Sequence, residues 1–428
     1  MIQRVMGTLM MALAALLCAL ALPSAVPAAH ADGGAPNLAY IVGAGASKGD
    51  LVTVDIAQRR ATGRVGVGGE PRAVILSPDA RFVYVAQAAR DAIAVVDAHA
   101  QHVAATLPAG REPVALALDI GVATSLYVAD AGGKSVTVLD LDHRRVSATI
   151  PVGAAPTGIA IAGPGSGISD PTDAEVYVTN GGDNTVSVIS TAHRQVIATI
   201  PAPGGPLGVT IPATGGVAYV STRAGTVLAL GLANHQLLGT LLDQPGSAYG
   251  IMDYDAITNQ VYVPDEQRGV VDILRPASAG PNGLSAPLPA EPARTLPLAG
   301  GPAAVAITFD GAYGFVAQRG SGQVTMFDAG SRQTLATIPV GGAPSAIITG
   351  SYPPLLSSQS ASVVAIILYV FVGLALLGVV GFYLGWFRRR RAARVGAAGG
   401  DMPDRAQDHP RGADPDGLDV DEFANAEG

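Results

Sequence analysis

Apolar and polar side chains alternate through Val176, Tyr177, Val178 and Thr179, a Gly/Asp/Asn cluster interrupts at 181–184, and the alternation resumes from Thr185 to Ile189. Two period-2 runs rich in Val, Tyr and Thr, joined by residues that tolerate a positive φ, predict a β-hairpin. The pattern recurs along the chain. Its aromatic anchor is Tyr40, Tyr84, Tyr127, Tyr177, Tyr219, Tyr262 and, with Phe in place of Tyr, Phe315, at intervals of 42 to 53 residues.

Around each anchor runs the same cassette. A Gly/Pro turn leads into a small apolar strand, as in Gly69–Leu76, Gly153–Ile161 and Gly301–Ile307. The anchor strand follows, then a partner such as Ile93–Asp97, Val136–Asp140 or Val324–Asp328, and a last strand such as Val146–Val152 or Thr334–Val340. Seven copies in fixed order predict an all-β, seven-bladed β-propeller, because a period of roughly 40–50 residues is that of a four-stranded blade. The first copy starts at its anchor strand, Asn37–Val42, and the missing small strand stands at the other end, within Val340–Gly350. Ser345–Thr349 is therefore expected to be the innermost strand of the first blade, closing the ring by pairing N- and C-terminal strands and leaving no exposed sheet edge.

Tyr177-Val178-Thr179-Asn180 and its flanks resemble the YVTN family of β-propeller repeats, found in prokaryotic secreted and surface proteins, over roughly residues 37–350. YVAQ at Tyr84, YVAD at Tyr127, YVST at Tyr219 and YVPD at Tyr262 depart from the motif while keeping its alternation. The resemblance implies the fold; it says little about activity, since one fold hosts many functions.

The ends of the chain change the picture from a disc to a disc on a tether. Residues 1–31 carry Arg4, an apolar run from about Leu9 to Leu22, and Ala29-His30-Ala31 before Asp32, the organisation of a cleaved secretory signal peptide. Cys18 is the one cysteine and lies in that run, so cleavage leaves a mature chain with no thiol for disulfides, metal sites or nucleophilic catalysis. After the propeller at 32–350, a polar stalk at 351–360 precedes the uncharged run Val363–Trp386, read as a transmembrane helix at 361–387. Arg388–Arg391 and Arg394 then place the tail, 388–428, in the cytoplasm as a disordered segment. The expected topology is single-pass, with the propeller extracytoplasmic. A net charge of −8, without a basic stripe in the repeats, excludes nucleic acid as a partner.

Connectivity divides the loops between two faces. Insertions at Gly163–Glu175 and Pro276–Pro292 fall on the face that releases the stalk and are expected to face the membrane or a membrane-embedded partner. The opposite, membrane-distal face carries the inter-blade turns and the loops after each anchor strand, and supplies the candidate binding residues: Glu70, Arg72, Arg111, Glu112, Asp183, Asn184, Arg223, Glu266, Arg268 and Arg319. Lys134 and Asp265 share that face, and Arg72 stands where an innermost strand begins.

Catalytic chemistry is hard to find. His99, His102, His143, His193 and His235 recur near the turn between the last two strands of their blades, at the rim, where those of different blades stand too far apart to share an ion and only His99 and His102 could form a weak surface pair. The innermost strands read as apolar, whereas acid/base catalysis or an oxygen-ligand cage needs convergent polar groups. Asp119, Asp253 and Asp255 are expected to cap turns. No cofactor, metal site or catalytic residue is expected. The reading is a membrane-anchored binding or scaffolding module for an extracytoplasmic protein or small molecule; a propeller enzyme, lactonase-like or cofactor-dependent, is the first alternative and a surface or adhesion protein the second.

Overall fold

In the computed structural model, which describes residues 37–350 apart from 44–48, 120–123, 164–165, 169, 171, 213–215, 276–278, 281–282 and 285–293, all seven aromatic anchors are buried. Each lies on the second strand of a four-stranded antiparallel sheet, and seven such sheets form a β-propeller. The second blade is typical: Pro71–Leu76 innermost, then Phe82–Gln87, Ala92–Asp97 and His102–Pro108. Blades three to seven begin with innermost strands Pro113–Asp119, Pro156–Ala162, Pro206–Thr210, Asp253–Asp255 and Pro302–Ile307. In the first blade the innermost strand is Pro344–Gly350, paired with Leu38–Gly43 from Leu38↔Gly350 to Gly43↔Pro344.

Successive blades meet through seven apolar clusters, one per interface, as in the cluster that joins Tyr40, Val42 and Leu51 of blade one to Val83, Val85 and Val96 of blade two. Alternation explains this placement: the middle strands face a neighbour on both sides, and both faces of each are buried. Polar stitches add to the packing near the axis. The Thr157 hydroxyl donates to Pro206 O at 2.8 Å, Ser221 to Gly250 O at 2.8 Å and Thr349 to Ile307 O at 3.2 Å.

In blades two to seven the residue that closes the anchor strand is polar, where the first blade has Gly43. Gln87, Asp130, Asn180, Thr222, Asp265 and Gln318 are all buried. Gln87 and Gln318 donate to the carbonyls of Val67 and Ala299, at the end of the preceding blade, and Asn180 Nδ2 donates to Thr185 at 3.1 Å and Ser187 at 2.9 Å. The adjacent turn is glycine-rich because these side chains press on it. A Cβ on Gly110 would stand 2.2 Å from the Asp130 carboxylate, and one on Gly153 2.7 Å from Asn180 Cγ.

The two insertions extend the loops expected of them, within blades four and six, and part of the second forms a short hairpin, Ala279–Gly280 with Gly283–Leu284. Among the described residues no helix is long and apolar enough to cross a membrane. The expected signal peptide, stalk, transmembrane run and tail lie outside the described residues.

Candidate binding site at the channel mouth

In six of the seven blades the innermost strand opens with a β-bulge that turns a residue toward the axis. In blade two Pro71 faces Gln87 and Ala73 faces Ala86, so Arg72 is the extra residue of a β-bulge. The same shift leaves Val114, Thr157, Ala303 and Ser345 unpaired in blades three, four, seven and one, and the pair Leu207 and Gly208 in blade five. Bulges re-aim side chains in this way beside many binding sites. Proline begins the strand in six blades because the first residue need not donate to the ladder.

A second ring lies above the first. The residue after the anchor strand donates its N–H to the residue before the proline: Ala131 to Glu112 O at 2.9 Å, Arg223 to Gly205 O at 3.0 Å and Arg319 to Gly301 O at 3.1 Å, with the sixth blade using Glu266 to Ala248 O at 3.0 Å. Glu70 and Glu112 hold left-handed φ of 50° and 57° where blades five and seven use Gly205 and Gly301. Such a conformation costs a non-glycine residue roughly 1 kcal/mol or more.

The two rings enclose a cavity of about 660 Å³. Its charged lining is Arg72, Glu112, Arg223, Glu266 and Arg319, and its apolar wall includes Val114, Leu207 and Ile251. These five were all candidates from the sequence. The other five stand elsewhere and hold the rim together. Glu70 pairs with Arg72 at 3.5 Å, Arg111 donates to Gly132 O, and Asp183 accepts from Ala154 N. Asn184 Oδ1 accepts from Gly205 N at 2.8 Å, capping the next blade's turn, and Arg268 pairs with Asp272 at 3.0 Å and Asp265 at 3.6 Å.

The sixth blade departs from its repeat. It has Tyr249 where the other blades have proline, and its innermost segment leans on blade seven: Ile251 N donates to Ala303 O at 2.9 Å and Val305 N to Ile251 O at 3.1 Å. Gly250 permits the approach, since a Cβ there would lie 2.2 Å from Ala303 O. Asp253 is no turn cap, contrary to expectation. Its Oδ2 accepts the Ile307 N–H of blade seven at 2.7 Å and its Oδ1 the Tyr254 N–H at 2.8 Å. The residue keeps partial exposure, but its carboxylate is withdrawn between strands, and this desolvation pushes its pKa up to about 6. Asp255 does cap its turn, accepting from Ile257 N at 2.9 Å and Thr258 N at 3.3 Å.

Behind the cavity wall Tyr249 OH donates to Asp272 Oδ2 at 3.3 Å. Asp265 and Asp272 are both fully buried, and burial raises the Asp272 pKa although Arg268 opposes it. Sequence reading also missed a buried junction of blades four and five. Tyr177 OH donates to Glu175 Oε2 at 2.8 Å, and His235 Nε2 lies 3.0 Å from the same oxygen, in the turn before the last strand. Burial, reinforced by Glu175, raises the Tyr177 pKa far above its ordinary value. Gln260 and Arg332 form the corresponding contact at 3.2 Å between blades six and seven. Among the described residues no group of three or more His, Cys, Asp and Glu is placed to hold a metal ion.

No family model matches the sequence, and no curated protein is similar to it. Solved structures share the fold. Hydrazine synthase of Kuenenia stuttgartiensis is similar at a TM-score of 0.54 and 20% identity, covering 65% of this chain and 89% of that one. A functionally unknown protein from Desulfotomaculum acetoxidans DSM 771 is similar at a TM-score of 0.60 and 15% identity, covering 74% and 99%. At these identities the likeness is one of fold, the β-propeller.

Proposed function

We propose that this chain is a membrane-anchored, extracytoplasmic binding module of the YVTN propeller type, which recognises its ligand at the channel mouth. The observation that carries the reading is the cavity of about 660 Å³, whose five charged side chains come from five different blades and stand on stems fixed by bulges and inter-strand hydrogen bonds. A rigid concave site with an apolar wall and a few placed polar groups is the usual form of a small-ligand pocket. The innermost strands carry the chain from the mouth to the opposite face, where Gly350 ends the last described strand. The uncharged run Val363–Trp386 follows soon after in sequence and supports an anchor on that side.

Two measurements test this in intact cells. A photo-crosslinking amino acid at Leu207 should give an adduct with an extracytoplasmic species, and the same group at Phe309, at the far end of an innermost strand, should not. Absence of a mouth-specific adduct would count against recognition there. Single cysteines test the topology: one at Phe309 should react with an impermeant maleimide outside, one at Phe423 only after permeabilisation. Equal labelling of both without permeabilisation would overturn the anchor.

A further inference from the structure

The charges at the mouth fall into two sets. On one side they are satisfied within the rim, Arg319 with Glu266 at 3.5 Å and Arg72 with Glu70 at 3.5 Å. Glu112 and Arg223 differ. Both are exposed and line the cavity, and among the described residues neither the carboxylate nor the guanidinium has a hydrogen-bonding or ionic partner.

Their placement is as informative as their freedom. Glu112 belongs to blade three and Arg223 to blade five, so one blade separates them. That blade lines the cavity with Ala155, Pro156 and Thr157, and the Thr157 hydroxyl is already committed to Pro206 O. An uncharged wall thus runs between an unpaired anion and an unpaired cation. Both stems are held: Glu112 N donates to Asp91 Oδ1 at 2.8 Å, and Arg223 N to Gly205 O at 3.0 Å. Leu207 and Val114 supply apolar surface for whatever spans the gap.

We propose that the mouth binds a zwitterionic small molecule, with its ammonium group at Glu112 and its carboxylate at Arg223. This rests on the mouth being the recognition site. Both contacts are charge-assisted, and a guanidinium matches a carboxylate with two parallel hydrogen bonds. A ligand with only one charge leaves the other protein charge without a counter-ion as the pocket is desolvated, so selectivity arises from the mismatch as much as from the fit. The self-paired half of the rim offers no comparable pair of free charges.

The test uses the full chain in nanodiscs and calorimetric titration with ω-amino acids from γ-aminobutyrate to ω-aminodecanoate, beside octanoate, octylamine and octanamide. One zwitterion length should bind at least about tenfold more tightly than either singly charged analogue, a difference of about 1.4 kcal/mol. Glu112→Gln should bring that zwitterion to the affinity of octanoate, and Arg223→Met to that of octylamine, with the melting temperature unchanged in both. The two variants read opposite ends, so a folding defect in one leaves the other decisive. Octanoate or octanamide binding as well as the best zwitterion would overturn the zwitterion assignment and leave the mouth as a ligand site. Silence from every probe, together with a crosslink at Leu207, would overturn the assignment alone; silence with no crosslink would remove the mouth reading as well.

Discussion

Blades four and six solve one packing problem in opposite ways. In blade four the polar residue closing the anchor strand is Asn180, which donates to Ser187 and Thr185 on the partner strand. The pair is neutral and needs no counter-ion, although Asn180 Oδ1 is buried without a partner among the described residues. In blade six the same two places hold Asp265 and Asp272, both buried, and the surplus charge requires Arg268. Blade three lies between, with Asp130 accepting from Thr137 at 2.7 Å and Ser135 at 3.3 Å. A repeat tolerates a buried carboxylate where hydroxyls or a cation face it; a neutral donor–acceptor couple avoids the larger cost of desolvating a charge.

The largest effect should come from breaking the charged version. Arg268→Ala leaves two buried carboxylates without their cation, and a loss of about 3 kcal/mol is expected, moderated because the Arg268 side chain is 36% exposed. Chemical denaturation at pH 7 measures it. A loss below about 0.5 kcal/mol would refute the need for the cation.

Converting blade three to the neutral version sharpens the comparison. Burial pushes the Asp130 pKa up to about 6 from an ordinary 3.8. The folded state therefore retains a proton that the unfolded chain releases, so the contribution of Asp130 to stability is greatest below about pH 4 and is lost as pH climbs through about 6. Asp130→Asn should gain at most about 3 kcal/mol at pH 7.5 and almost nothing at about pH 3, each unit of pKa difference corresponding to about 1.4 kcal/mol. A gain independent of pH would refute this account. The smallest effect is expected from rebuilding blade six as blade four. Asp265→Asn, Arg268→Ala and Asp272→Ser together should leave stability within about 1 kcal/mol of the parent, since removing a buried ionic group whole costs far less than removing one member.

The repeat is legible in sequence because alternation and the aromatic anchors encode it locally. Tyr177 and Tyr219 announce their strands wherever the rest of the chain lies. The mouth is legible in part. Arg72, Glu112, Arg223, Glu266 and Arg319 could be assigned to one face from connectivity, but Glu70, Arg111, Asp183, Asn184 and Arg268 share that face and turn to neighbouring backbone or charged side chains instead. Separating the two groups requires tertiary contacts. Aligning the cassettes on their prolines would have found the bulge column, in which Arg72 is matched by Val114, Thr157 and Ser345. Glu175 and His235 gave no such signal, because their meeting depends on how one blade is rotated against the next.

The pairing of Leu38–Gly43 with Pro344–Gly350 sets an order of events in synthesis. Blades two to seven draw all their strands from consecutive sequence, so each has its full complement of strands soon after its residues emerge. The first sheet cannot. Its second strand is made before blades two to seven and its innermost strand after all of them, so it stays incomplete, with an unpaired edge, until Pro344–Gly350 emerges. A contact between residues so distant carries a large loop-closure entropy, and its formation is the slow step expected of such a topology. During that interval Leu38–Gly43 is the strand most open to a wrong partner, and the arrival of Pro344–Gly350 ends the exposure.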